Sequence, residues 1–471
     1  MEKSINQIFN QALTAHQEGK LEEAERLYRE ILKVQPEHLD TNNNLAVILE
    51  HHNKLEEAEK YYRKAIELNP KIAESYNNLG ATLGQLNRLI EAEASCKRAI
   101  ELKPDYAMAY NNLGKILYKF NRFEEAEISY RRAVELKPNF ADAYNNWGVS
   151  LFEYGKLKEA AEKYSKALII EPKQLEAKEN MISILDNLVI DKENNHPIVV
   201  ANRNLQNIKN DFTFEKEIKK NEIANFFKDS NKVVKNNNPD LETNKTQIHR
   251  RNKIDLGCKR HKQLFQESNI IANACFSCFK IQIEPKNVLE LFKLFFIFDK
   301  LVLPKNNSRK CGVELRPKFL GTYKGLIYCS NIEEINMILE IISPIINKLT
   351  KCKIKVIRGC LEYLDSFPKY REIDKNSPNF MLYNNSWKEI ETFFDNKRNT
   401  KLKNQNKSLG GISISDILIM NNWLNYAKKI DDQSYKNISE DFIYSDQISK
   451  RLEKQLVKRK KEFLSQLELI N

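Results

Sequence analysis

The fold is decided by residues 73–104, AESYNNLGATLGQLNRLIEAEASCKRAIELKP, and by their near copy at 107–138, AMAYNNLGKILYKFNRFEEAEISYRRAVELKP. The two segments match at a spacing of 34 residues. A fixed period of this length is typical of proteins that stack one supersecondary unit many times. Prolines mark the same period five times, at Pro36, Pro70, Pro104, Pro138 and Pro172.

Each period also places small and aromatic residues at fixed positions. Small side chains allow two helices to pack closely, and proline ends a helix, so each period predicts a helix pair. The alanines are Ala24, Ala58, Ala92, Ala126 and Ala160, followed four residues later by Tyr28, Tyr62, Cys96, Tyr130 and Tyr164. The matching contacts on the first helix are Leu45-Ala46, Leu79-Gly80, Leu113-Gly114 and Trp147-Gly148.

With these positions, the chain resembles the tetratricopeptide repeat (TPR) family from residue 5 to about 174. The first repeat is the weakest, because Gln11 and Ala12 replace the usual Leu-Gly pair. The resemblance implies a right-handed helical superhelix with a concave groove. We therefore expect five repeats in residues 1–174, closed by a capping helix at 175–190.

Asparagine recurs directly before the Leu-Gly position, which the family pattern does not require. The resemblance places this position in the groove and implies an asparagine ladder that holds an extended peptide, because an amide both donates and accepts hydrogen bonds. The alternative is that duplication copied solvated polar residues. The ladder positions are Asn10, Asn44, Asn78, Asn112 and Asn146, with Asn43, Asn77, Asn111 and Asn145 beside four of them.

Charged residues near the ladder indicate what kind of ligand it would take. Lys115 and Lys119 give the fourth repeat basic groove positions, which could receive an acidic segment of the ligand. A clamp for a terminal carboxylate is not expected, because the groove positions four residues before the ladder are Asp40, Glu74, Met108 and Asp142.

Length and composition exclude several classes of protein. A chain of 471 residues allows about three folding units. With 41% hydrophobic and 30% charged residues, it is neither wholly disordered nor a membrane bundle. The longest apolar stretch, 288–303, is interrupted by charges and predicts a buried helix rather than a membrane span. The N-terminus MEKSINQIFN has no apolar core, so we expect a cytoplasmic protein.

Charge is unevenly distributed along the chain. Residues 1–180 carry 26 Lys and Arg against 29 Asp and Glu, whereas the remainder carries 50 against 35. A basic half could contact nucleic acid, although the base composition of the coding DNA could also produce this bias. We therefore expect weak nucleic-acid binding at most.

The C-terminal part predicts a flexible linker at 191–250, an α+β module at 251–360 and a helical, basic region at 361–471. Within the module the pattern alternates as βαββαβ, which is the order of a ferredoxin-like sheet backed by two helices. The strands are expected at 279–283, 313–316, 322–329 and 353–357, and the helices at 288–301 and 332–342. This fold hosts enzymes, metal-binding modules and RNA-binding modules alike.

Four potential metal ligands precede the first strand of that module. Cys258 and His261 are followed by Cys275 and Cys278, a spacing that fits one structural Zn²⁺. The alternative is that the two later cysteines are buried core residues and His261 is a surface residue.

Two other functions are considered for the C-terminal part. Residues 324–328, KGLIY, faintly resemble the strand motif of RNA recognition motifs, with stacking limited to Tyr323 or Tyr328 and phosphate contacts to Arg309, Lys310, Arg316, Lys318 and Lys324. TPR chains fused to transferases make an enzyme the other alternative. Because no phosphate loop, G-x-S-x-G or H-E-x-x-H motif is present, no catalytic residue is nominated, and a protein-binding adaptor is expected.

Overall fold

The computed structural model describes residues 4–186, 194–208, 212–237, 241–250, 258–305, 307–316, 321–374, 376–398 and 411–468. The chain forms two compact units, residues 1–184 and residues 185–471, here named the repeat unit and the C-terminal unit. Among the described residues, no helix combines the length and the apolar character that crossing a membrane requires.

The repeat unit is built from antiparallel helix pairs, two helices for each 34-residue period. The helices are α1 Ile5–Gln17, α2 Leu21–Val34, α3 Leu39–His51, α4 Leu55–Leu68, α5 Ala73–Gln85, α6 Leu89–Leu102, α7 Ala107–Lys119, α8 Phe123–Leu136, α9 Ala141–Tyr154, α10 Leu157–Ile170 and α11 Leu175–Leu185. The odd-numbered helices α1 to α9 are the first helices of the five repeats, and α11 follows the last pair.

The turn inside each repeat requires a left-handed residue. Asn53, Asn87 and Asn121 have φ of 58°, 62° and 59°, and Gly19 and Gly155 occupy the equivalent positions. Asparagine and glycine adopt this backbone most readily, so they end the first helix of each pair. The periodic prolines all lie two residues after the end of the second helix, as expected from their inability to continue it.

The small and aromatic positions pack together as the sequence predicts. A Cβ atom added at Gly114 would lie 2.7 Å from the Tyr130 ring, and Gly148 faces Tyr164 in the same way. Tyr130 is 1% exposed, so its ring has no room to move away. The two helices of a repeat therefore pack at a distance that only glycine, or alanine with adjustment, permits.

A second 34-residue pattern joins neighbouring repeats through charge. The basic residue before each second helix pairs with a glutamate of the preceding repeat, for example Arg88 with Glu59 at 2.6 Å and Arg122 with Glu93 at 2.8 Å. Lys54–Glu25 and Lys156–Glu127 repeat the contact, both at 3.1 Å. Each such exposed pair contributes on the order of 0–1 kcal/mol, so they assist the stacking but do not cause it.

The C-terminal unit combines one sheet with helices. Its strands are β1 Gln247–Arg250, β2 Phe279–Glu284, β3 Arg309–Val313, β4 Tyr323–Cys329 and β5 Lys353–Arg358. Its α-helices are α12 Pro197–Gln206, α13 Lys220–Asn237, α14 Cys258–Ser268, α15 Asn273–Phe276, α16 Val288–Lys300, α17 Ile332–Leu349, α18 Trp387–Arg398, α19 Ile414–Lys429, α20 Asp446–Glu453 and α21 Leu456–Glu468.

The sheet has the strand order β1-β3-β4-β2-β5, and all neighbouring strands are antiparallel. Residues opposite each other in an antiparallel register share a face. His249 is opposite Lys310 and Lys280 is opposite Tyr328, so one face carries basic and aromatic residues. The other face carries Ile281 and Ile327, both fully buried.

The predicted apolar stretch at 288–303 is a buried helix, α16. Its residues from Leu291 to Phe298 are almost all at most 1% exposed, and the helix contacts β3, β4, α13 and α19. A helix that is apolar on all sides needs neighbours on all sides. The helix therefore forms the centre of the C-terminal unit.

The structure differs from the predicted linker at 191–250 and from the separate region at 361–471. The linker range contains α12, α13 and β1, with Phe227 and Val234 fully buried. Helix α19 of the tail contacts α12, α13, α16 and β1. The asparagine-rich composition suggested a solvated chain, but Asn202 and Asn231 are buried and accept hydrogen bonds from α19. Residues 185–471 form one compact unit.

Candidate peptide-binding surface

The asparagines before the Leu-Gly positions form a row along the first helices. We call Asn43, Asn77, Asn111 and Asn145 the inner asparagines, and Asn10, Asn44, Asn78, Asn112 and Asn146 the outer asparagines. The inner side chains of the third to fifth repeats are only 1%, 7% and 2% exposed. The outer ones are half-buried, apart from the exposed Asn10.

Hydrogen bonds join this row from one repeat to the next. Asn112 Nδ2 donates to Asn77 Oδ1 at 2.9 Å, and Asn146 Nδ2 donates to Asn111 Oδ1 at 3.1 Å. In both cases an outer asparagine reaches the inner asparagine of the preceding repeat. These side-chain amides therefore help to hold neighbouring repeats together. Neither the prediction of a peptide-binding ladder nor the alternative of copied, solvated residues included this role.

Asn180 on α11 continues the row and was missed by the sequence analysis. Its Nδ2 donates to Asn145 Oδ1 at 2.9 Å, the same bond one period further along the chain. The signal was present in the sequence, because Asn180 lies 34 residues after Asn146. The residues around it lack the Leu-Gly pair, which is why the repeat pattern did not include it.

The N-terminal end of the row is bonded differently. Asn44 Nδ2 donates to the hydroxyl of Tyr28 at 3.4 Å, and Asn43 Oδ1 accepts from Ser75 Oγ at 3.1 Å. The amide-to-amide bonds between repeats are thus found from the third repeat to α11. Within the described part of the chain, the side-chain amide of Asn10 makes no hydrogen bond, and its backbone carbonyl accepts from Thr14.

We call the inner and outer asparagine of one repeat a rung. The rungs of the fourth and fifth repeats leave hydrogen-bonding groups unused, whereas in the third repeat Asn77 Nδ2 donates to Asn78 Oδ1 at 3.1 Å. Within the described part of the chain, Asn111 and Asn145 accept through Oδ1, but neither Nδ2 has a partner. Asn112 and Asn146 donate through Nδ2, but neither Oδ1 has a partner. One spare donor and one spare acceptor therefore remain on each of these rungs, and a peptide unit offers the complementary pair.

The two predicted basic positions differ from each other. Lys115 is exposed, whereas Lys119 Nζ donates to the carbonyl of Gly84 at 2.5 Å, on the first helix of the preceding repeat. Burial, followed by the neighbouring Lys115 charge, lowers the pKa of Lys119. Positive charge thus accumulates beside the fourth rung, while Asp40, Glu74, Met108 and Asp142 are exposed along the same helices.

The four predicted zinc ligands lie in one region of the C-terminal unit, but not as donors gathered around one point. Cys275 Sγ lies 3.3 Å from His261 Nδ1, and both are buried. Cys258, by contrast, is exposed, and it interacts with Cys360 and Cys278. In the described ranges no three His, Cys, Asp or Glu side chains are arranged to hold a metal ion. The geometry offers no tetrahedral donor set, and zinc binding stays a prediction to be settled by metal analysis.

The basic residues proposed to contact phosphate are mostly engaged. Arg309 is fully buried and donates to the carbonyl of Leu301, while Arg316 and Lys324 both pair with Glu314. Tyr323 is 2% exposed and donates to Asp432, so it offers no stacking surface. Lys310 and Tyr328 remain half-buried on the sheet, and Lys318 lies outside the described residues.

The family models that match this chain cover its N-terminal third. Family models for the tetratricopeptide repeat match residues 9–73, 71–139 and 111–174. The structure of MamA is 26% identical over 37% of this chain and 95% of its own, with a TM-score of 0.32. YrrB, described as a TPR protein with an unusual peptide-binding site, is 23% identical over 36% and 89%, with a TM-score of 0.31. A thermophilic TPR protein of Thermus thermophilus is 21% identical over 39% and 99%, with a TM-score of 0.35. No curated protein matches the chain.

Proposed function

Because residues 9–174 are a tandem array of tetratricopeptide repeats, we propose that the protein is a protein-interaction scaffold that holds an extended peptide along its asparagine row. The observation that carries this proposal is the pattern of spare amide groups. Rungs four and five each keep one donor and one acceptor free after the bonds between repeats are made.

The spacing of the rungs supports an extended ligand. Neighbouring helices pack about 8–10 Å apart, and an extended chain advances about 3.3 Å per residue, so every third peptide unit would meet a rung. Backbone contacts of this kind do not depend on the ligand's side chains. The positive charge of Lys115 and Lys119 would favour an acidic segment beside the fourth rung.

The test removes the spare donors and keeps the bonds between repeats. In Asn111→Asp with Asn145→Asp, a carboxylate oxygen can still accept from Asn146 and Asn180, but it cannot donate to a peptide carbonyl. Peptides are first selected from a random 12-residue library on the full-length protein. We expect the double variant to lose at least about tenfold in affinity for them, because each net hydrogen bond contributes roughly 1 kcal/mol.

The control is Asn139→Asp, an exposed position outside the row, which introduces the same charge and should leave affinity within about twofold. A second arm uses backbone N-methylation of the selected peptide. Retained affinity after N-methylation at every third unit would contradict backbone recognition, as would full binding by a folded double variant.

For residues 279–358, we propose a ferredoxin-like arrangement extended by β1. Support comes from the order β3-β4-β2-β5 and from the positions of α16 and α17 in the chain, each between two strands. This proposal assigns no activity to the C-terminal unit, and neither the RNA-binding nor the transferase alternative is adopted as its function.

A further inference from the structure

A cavity of about 800 Å³ lies within the C-terminal unit. Its wall includes His249 of β1, Lys310 of β3 and Tyr328 of β4, which belong to the same face of the sheet. Val313, Leu315 and Ile419 supply apolar parts of the wall. Pockets for small molecules usually have about 300–1,000 Å³ and a mostly apolar lining with a few polar groups.

The carboxylates in the wall already have partners. Glu314 accepts three hydrogen bonds from Arg316, two from its guanidinium group and one from its backbone N–H, and pairs with Lys324 at 3.3 Å. Asp416 accepts from both terminal nitrogens of Arg250, at 2.9 and 2.7 Å, and Asp186 accepts from Ser413. The carboxylates of Glu314 and Asp416 are therefore paired with basic residues, whereas Asp186 accepts from a neutral hydroxyl.

Lys310 is the half-buried lysine of the wall, and among the described residues it has no carboxylate partner of this kind. Within the same ranges, its ammonium group has neither a hydrogen-bond nor an ion-pair partner. Its one recorded contact is with the Tyr328 ring, whose centroid lies 5.8 Å away. Removing an ammonium group from water without a counter-charge is costly. Burial, with the Lys280 and Arg316 charges, lowers the pKa of Lys310 to about 8, so it remains mostly protonated at neutral pH.

Other donors in the wall surround the same space. Ser308 and Tyr328 contribute hydroxyl groups, and the exposed Lys245 and Arg451 add two further positive charges. Phosphate groups carry two negative charges and several acceptor oxygens, and lysine binds them as a point charge. The apolar side of the cavity, next to these basic residues, suits a ligand that carries an apolar organic group in addition to its phosphate.

We propose that the cavity binds a small organic phosphate, with the phosphate group held by Lys310 and the hydroxyls beside it and the organic part against Val313, Leu315 and Ile419. The site lies in the C-terminal unit and is independent of the proposed peptide binding.

Calorimetry on the full-length protein tests this with defined probes: adenosine 5′-monophosphate, glucose 6-phosphate, their unphosphorylated counterparts, inorganic phosphate and a 12-nucleotide oligouridylate. We expect at least one phosphate ester to bind, its counterpart not to bind, and Lys310→Gln to weaken binding at least about tenfold. The matched control is Lys353→Gln, which removes an exposed lysine of the same sheet outside the cavity and should change affinity less than about twofold.

Circular dichroism tests whether Lys310→Gln folds. If this variant is unfolded, Ser308→Asp replaces it; this change adds a negative charge to the wall, and we expect the same loss of affinity. The proposal is overturned if neither ester binds at millimolar concentration, or if binding is unchanged by the charge-altering variant. Binding of the oligouridylate without either ester would also overturn it, in favour of a nucleic-acid surface.

Discussion

At the residue scale, the protein repeatedly uses polar side chains as internal connections. Buried Asn77 and Asn145 accept from asparagines two helices further along the array, on α7 and α11. Asn422 of α19 donates to the carbonyls of Thr243 and Lys245 at 2.7 and 2.8 Å. Each bond satisfies a group whose burial would otherwise cost free energy. Removing one partner leaves the other unsatisfied, so asparagine substitutions will affect stability as well as binding.

The most perturbed carboxylate in the cavity wall gives a pH prediction. Glu314 is 3% exposed. Burial alone would raise its pKa, but the hydrogen bonds from Arg316 and the charges of Lys324 and Arg316 lower the pKa to about 2, against an ordinary value of 4.5. Because the folded value is the lower one, this stabilisation is complete above about pH 4.5 and is lost as the pH falls towards 2.

We therefore expect the free energy of unfolding of the native protein to fall by about 2 kcal/mol more than that of Glu314→Gln between pH 5 and pH 3. Urea unfolding followed by tryptophan fluorescence measures this, since Trp387 and Trp423 lie in the C-terminal unit. Glu333→Gln, an exposed position on α17, controls for the loss of one charge. If the free energy of unfolding depends on pH in the same way in the native protein and in Glu314→Gln, the lowered pKa of Glu314 is contradicted.

At the element scale, two glycines on the first helices face different surroundings. An added Cβ at Gly114 would lie 2.7 Å from Tyr130, whereas at Gly84 the nearest atom would be Ile116 Cγ1 at 3.6 Å. Both glycines lie inside helices, where alanine is favoured over glycine by about 1 kcal/mol. The two positions thus separate the effect of packing from that of helix propensity.

We expect Gly114→Ala to lower the free energy of unfolding by about 1–3 kcal/mol, because its methyl group has no room. Gly84→Ala is the matched control and should raise it by up to about 1 kcal/mol. Thermal unfolding followed by circular dichroism compares the two variants. Equal effects at both positions would show that close helix packing does not explain the recurrent glycine.

At the scale of the whole molecule, the repeat array ends at α11, which supplies the last hydrogen-bond donor to the row of asparagines. Asn180 gives Asn145 its donor, and Gln174 Nε2 donates to Asp142 Oδ1 at 2.6 Å. Ala177, Met181 and Ile182 of the same helix are buried. A terminal helix of this kind shields the open end of a repeat array.

We expect a fragment of residues 1–186 to fold as a helical array and to be more stable than residues 1–174. Loss of the Asn180 bond and of the buried α11 side chains should cost at least about 2 kcal/mol. Urea unfolding of both fragments measures the difference. Asn180→Ala in the longer fragment removes only the hydrogen bond to Asn145 and should account for about 1 kcal/mol of this difference in stability. Identical stability of the two fragments would contradict a capping role for α11.

The sequence by itself determined the repeat array. The 34-residue period, the glycine–aromatic pairs and the prolines each reflect contacts between residues close in the chain, so the helix pairs could be predicted directly. Alternation and the apolar run likewise located β2 and α16. These features depend on local geometry and on which face of an element is buried.

Only the tertiary structure decided how the polar residues are used. Asn112 meets Asn77 because stacking aligns positions 35 residues apart, and a pattern of asparagines does not reveal whether their amides face a ligand or each other. In the same way, the sequence does not show that Asn422 and Trp423 of α19 donate to the backbone carbonyls of Thr243, Lys245 and Thr246, contacts that lie about 180 residues apart in sequence and tie the predicted linker range to the tail. The cavity around Lys310 joins β1, β3, β4 and α19, so no single stretch of sequence contains it.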